Sequence, residues 1–257
     1  MPINNRILSN GIRLVTEPIA ATKAAAIGFW FSGGSRDEPE GLCGITHYLE
    51  HLLFKGTPSR SATELARYFD RIGGYANAFT ERELVCLYCV VPAPHARDAL
   101  RVLADMAFFS VLSDEETERE RSVIESEILS SLDDPDECGM EAALHFMYPD
   151  HPFARPIAGT IESLRGISPE RIREFYRTRF SRSLSLVAVS GDIDPDGIAA
   201  DLERLASSGT PADSAFPAVS APPGLHTGRG YFRSPMRGRP AARRREISGP
   251  GGTANGS

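Results

Sequence analysis

The sequence predicts an α+β fold. Strand-sized apolar runs arrive as neighbouring pairs, at 13–17 with 24–31 and at 75–80 with 84–91. Helical periodicities cluster in blocks between and after them, and strict strand–helix alternation is absent. With 257 residues, 41% hydrophobic and 24% charged, the chain can bury one substantial core.

The two opening strands lead through a loop to a helix at 46–54. Thr63 is the expected cap of a second helix over 64–72, which the Gly73-Gly74 pair ends. The strands at 75–80 and 84–91 follow, then helices at 94–109, 114–133, 138–147 and 169–178, a strand at 184–190 and a helix at 195–205. The helix at 114–133 is signalled by Thr117, Glu120, Val123, Ile124, Glu127 and Ile128 at helical spacing, with no Gly or Pro between them. These elements make one expected domain over 1–207. Beyond it, 208–257 is rich in Pro, Gly and Arg without helical or strand period, and is expected to be a disordered tail.

No apolar run approaches the length of a membrane span, and the N-terminus lacks a hydrophobic signal core, so no membrane partner and a cytoplasmic location are expected. Four cysteines raise the question of a metal site. Cys86 and Cys89 form C-x-x-C, but inside a strand-like run, where residues three apart point to opposite faces. They read as buried thiols, and Cys43 and Cys138 show no pairing pattern.

The chemistry is concentrated at His47-Tyr48-Leu49-Glu50-His51, an H-x-x-E-H motif. Residues four apart share one helix face, so two imidazoles can converge on one metal ion while Glu50, one turn from His47, reaches a water beside it. The alternative is an amphipathic helix with a solvated polar face and Leu49, Leu52 and Leu53 inward. Such a face does not usually collect two His and no Lys or Arg.

A zinc hydrolase site needs a third protein ligand from another element and an open position. The helix at 114–133 is the place to look. Glu120 and Glu127 are seven residues apart, about 10 Å along the axis on one side, so one of them at most touches the metal. Glu125 lies about 160–200° around the helix from Glu127. Periodicity does not say which side faces the metal.

The run Gly33-Gly34-Ser35-Arg36-Asp37-Glu38-Pro39, then Gly44 through Thr57, resembles the pitrilysin/insulinase family of zinc metallopeptidases, the inverzincins. Bacterial relatives of the mitochondrial processing peptidase β-subunit are the nearest look-alikes. Agreement continues through Gly73-Gly74-Tyr75-Ala76-Asn77-Ala78-Phe79-Thr80, 118–128, His151-Pro152-Phe153, Gly159-Thr160 and Val189-Ser190-Gly191-Asp192. The resemblance implies an N-terminal catalytic domain with one antiparallel-rich sheet covered by helices on one side.

It also implies zinc held by His47, His51 and Glu127, with Glu120 orienting a ligand histidine and Glu50 as general base. The strand 75–80 becomes an open edge that accepts a peptide as an added strand, with Asn77 and Ala78 as contacts. From the residues alone, Asn77 reads better as a residue that closes a local turn.

Residues 1–220 carry 21 basic and 33 acidic side chains, and the segment from Ala221 onward seven Arg and one Glu. The acidic body suits basic peptide or unfolded polypeptide substrates, or simply maintains solubility. The Arg-rich tail lacks interleaved aromatics, and the acidic body repels phosphate, so no nucleic-acid partner is expected. The resemblance further implies a second homologous domain, partner subunit or homodimer for full activity, so a chain ending after the first domain is expected to bind zinc but cleave feebly. A non-catalytic assembly subunit is the alternative function.

Overall fold

The computed structural model describes residues 3–9 and 11–207; the expected tail lies outside the described residues. Strands β1 (Asn4–Ile7), β2 (Arg13–Pro18), β3 (Ala24–Ser32), β4 (Tyr75–Thr80), β5 (Leu84–Pro92) and β6 (Leu184–Gly191) form one sheet, in the order β1-β2-β6-β3-β5-β4. Only the β2–β6 pairing is parallel; the other four are antiparallel. Around it run α1 (Ile45–Leu52), α2 (Ala62–Ile72), α3 (Ala96–Phe109), α4 (Asp114–Asp133), α5 (Pro135–Met147), α6 (Ile161–Gly166), α7 (Pro169–Thr178) and α8 (Pro195–Ser207).

Alternation along the strands decides which face is covered. Val85, Leu87, Cys89 and Val91 of β5 are buried, as are Ile27, Phe29 and Phe31 of β3. They pack into one core with Leu100 and Leu103 of α3, Ile198 and Leu202 of α8, and Leu49 and Leu52 of α1. Each such side chain is worth roughly 1.5–3 kcal/mol of burial. The opposite face carries Trp30, Phe79 and Tyr88, in edge-to-face contact and left partly exposed by the described residues. Cys86 lies on that face and Cys89 in the core, both as free thiols.

Two local expectations need correction, and two elements were not expected. Ser61, not Thr63, caps α2: its hydroxyl accepts from the Glu64 N–H, and Glu64 reaches back to the Ser61 N–H in a capping box. The helix expected at 138–147 starts earlier because Asp134 caps it and Pro135 sits at its first position. Strand β1 and the short helix α6 have no counterpart in the expected elements. β1 is largely exposed and has no hydrophobic alternation; its pairing with β2 makes it a strand.

The start of α1 is set from outside the helix. The Glu38 carboxylate is buried and accepts from the N–H groups of Gly44 (2.8 Å) and Thr46 (2.9 Å), donors that a helix N-terminus leaves unpaired. Gly44, at φ 91°, passes so close to the loop before α6 that a Cβ would meet the Ala158 carbonyl oxygen at 2.5 Å. The metal-motif helix is thus held against that loop before any side chain of the motif takes part.

Candidate metal centre

His47, Glu50 and His51 project from one face of α1, as their spacing predicts, toward α4 on one side and β4 on the other. The Nε2 atoms of His51 and His47 lie 3.4 and 3.9 Å from one carboxylate oxygen of Glu127. One donor atom from each of the three residues falls within 4.8 Å of the others. Zinc with nitrogen and oxygen ligands at about 2.0–2.1 Å in a tetrahedron sets its ligand atoms about 3.4 Å apart, so this donor set fits such an ion. Glu125 turns away, toward Arg165 at 3.1 Å.

The two histidines differ behind their Nε2 atoms. His51 Nδ1 is 3.1 Å from the buried Glu120 carboxylate, whose other oxygen takes Lys55 Nζ at 2.6 Å. That chain fixes the His51 ring and its tautomer and leaves Nε2 as the acceptor nitrogen. Among the described residues, His47 Nδ1 is buried without a hydrogen-bond partner. Burial, and then the neighbouring His51, lower the His47 pKa to about 4, so this ring is neutral near pH 7, the form that binds a metal.

Glu50 is held differently. Thr80 at the end of β4 donates its hydroxyl to Glu50 Oε2 at 2.5 Å. Burial raises the Glu50 pKa, with the Thr80 hydrogen bond and the nearby His51 opposing the rise and Glu127 adding to it.

Among the described residues, strand β4 is the sheet's free edge on this side. The Glu81 N–H donates to the Leu84 carbonyl, in register with the β4–β5 ladder. Hydrogen-bonded and non-hydrogen-bonded pairs alternate, so residues 76, 78 and 80 turn their backbone groups to the open edge. There Asn77 Oδ1 accepts from the Ala78 N–H at 2.9 Å. The Asn77 side chain therefore caps the edge locally, while Ala78 lines the cavity beside the centre. That cavity, about 780 Å³, is bounded by His47, Glu50, Thr80, Ile128, Leu132 and Met140, so it runs from His47 along β4 to α4 and α5.

The chain matches the family model for insulinase, peptidase family M16, over residues 13–161. It belongs to that family. An uncharacterized zinc protease of Streptomyces coelicolor is 35% identical over 253 residues, 98% of this chain and 55% of the relative. The crystal structure of an M16-like peptidase from Alicyclobacillus acidocaldarius superposes with a TM-score of 0.74 at 27% identity, over 88% of this chain and 52% of that one. A peptidase M16 inactive domain from Pseudomonas fluorescens has the same fold, at a TM-score of 0.79 and 13% identity over 87% of this chain and 54% of that one. The chain spans about half the length of these insulinase-family proteins. Among its described residues, no helix is long and apolar enough to cross a membrane.

Thr80, Lys55 and Glu38 were not among the candidates read from the sequence. All three lie in the runs that carry the family resemblance, and Lys55 also lies four residues after His51, but spacing gave Thr80 and Glu38 no role because their partners are brought by other elements.

Proposed function

We propose that this chain is the metal-binding half of a zinc-dependent endopeptidase, with His47, His51 and Glu127 as ligands. The convergence of those three donors beside a carboxylate and an open cavity carries this reading. A zinc ion held there supplies Lewis acidity, polarising the scissile carbonyl and acidifying water. Glu50 accepts the proton of the attacking water and returns it to the leaving amine. Glu120, held by Lys55, keeps His51 in its binding orientation.

An extended peptide or unfolded segment pairs along the open edge of β4. Ala78 offers its backbone groups once the Asn77 side chain swings away from the Ala78 N–H, and Asn77 is then free to contact the peptide. The acidic body favours basic segments. Since the relatives are about twice as long, full activity requires a second homologous domain or partner subunit.

Metal analysis and peptide cleavage by wild type and Glu50→Gln test the assignment. The expected result is one zinc per chain in both proteins and a loss of about 10²–10⁴-fold in kcat for the variant. Equal cleavage by both would overturn the assigned base, and no metal-dependent cleavage by either, with the second domain or partner subunit supplied, would favour a non-catalytic assembly subunit.

A further inference from the structure

We propose that Thr80 is a positioning residue for Glu50, tying the open edge of β4 to the orientation of the general base; this rests on the peptidase reading above. Two roles meet in this residue. Its backbone N–H and C=O belong to the set turned to the free edge, and its side chain, on the buried face of β4, donates to Glu50 Oε2 at 2.5 Å. A β-branched residue in a strand has few χ1 choices, so the register of β4 sets the direction of the hydroxyl.

The Glu50 carboxylate is thereby held at one oxygen from the strand. Among the described residues, Oε1 has no donor of its own and remains to exchange protons with water or a leaving amine. A base swinging freely about its last torsion meets its proton in the right geometry for only part of the time, and a fixed one loses no such fraction. A peptide pairing with β4 stiffens the strand that holds the hydroxyl, and so stiffens the carboxylate. The bond also favours the ionised form of Glu50, but its geometric consequence does not depend on that.

The same contact could serve folding alone, because a buried carboxylate needs a donor. The test therefore compares Thr80→Val, which removes the donor at nearly constant shape, with Thr80→Ser, which keeps it. Both are made in the full-length protein and assayed on an internally quenched extended peptide, alongside wild type and Glu50→Gln.

Thr80→Val is expected to keep stoichiometric zinc and a KM within about twofold of wild type while kcat falls about tenfold or more, and Thr80→Ser to recover most of the loss. A second readout needs neither metal nor turnover. The side-chain carboxylate ¹³C resonance of Glu50 in the metal-free protein, assigned by its absence in Glu50→Gln, should move in Thr80→Val and return in Thr80→Ser. An unmoved resonance, an unchanged kcat in Thr80→Val, or a loss that Thr80→Ser does not recover would each overturn the proposal while leaving the peptidase reading intact. Equal cleavage by wild type and Glu50→Gln would instead remove the reading, and the positioning role with it.

Discussion

Glu120 on α4 and Asp201 on α8 are both carboxylates sealed inside the protein, and both are held by basic side chains. Asp201 takes Arg97 at 2.7 Å and Arg101 at 2.9 Å from α3, and Arg204 from its own helix. These hydrogen bonds and charges outweigh its burial and hold its pKa down to about 2, and the contact locks α8 onto α3. Glu120 has one fixed cation, Lys55; its other partner is an imidazole whose far nitrogen points at Glu127. Burial and pairing alone do not distinguish an acid that serves chemistry from one that serves the fold. On the reading proposed above, what the partner's other end touches does.

Glu120→Gln should break that contrast most visibly if it is wrong. Loss of the acceptor behind His51 is expected to lower zinc affinity or kcat/KM about 10–100-fold, whereas Asp201→Asn leaves both within about twofold. Competition with a zinc chelator and steady-state cleavage measure the two. Lys55→Met sharpens it, with an expected effect of roughly three- to tenfold in the same direction, because Glu120 keeps its bond to His51 but loses the charge that anchors it.

The smallest effect is on stability. Asp201→Asn should lower the unfolding free energy by about 1–2 kcal/mol, a melting-temperature shift of a few degrees in a domain of this size, because the arginines around Asp201 are themselves half-exposed and screened. The folded pKa of Asp201 lies below its unfolded value of 3.8. Its contribution is therefore present above about pH 4 and is lost as the pH falls towards 2. Thermal melts across that range should fall less steeply in Asp201→Asn than in wild type.

Much of the centre was legible because one helix carries it. The spacing of His47, Glu50 and His51 is a property of 3.6 residues per turn, and the alternation of β5 assigned Cys86 and Cys89 to opposite faces. Glu120 and Glu127 could be placed on one side of their helix in the same way. The side that faced the histidines could not be read by periodicity. The packing of α1 on α4 turned Glu127 toward the two histidines and left Glu125 to Arg165. The ends of elements were less legible still: the cap at Ser61 and the strand β1 depend on a reciprocal hydrogen bond and on a neighbouring strand.

The sequence by itself determined the types of the elements other than β1 and α6, the strand alternation that builds the core and the shared face of the H-x-x-E-H residues, all consequences of backbone geometry over a few residues. Only the tertiary structure decided that Glu127 meets both histidines, that Lys55 and Glu120 stand behind His51, and that Thr80 holds Glu50. Direction within one element follows from its local dihedral angles. Distance between two elements follows from how their apolar faces pack, and that is set by the whole core at once.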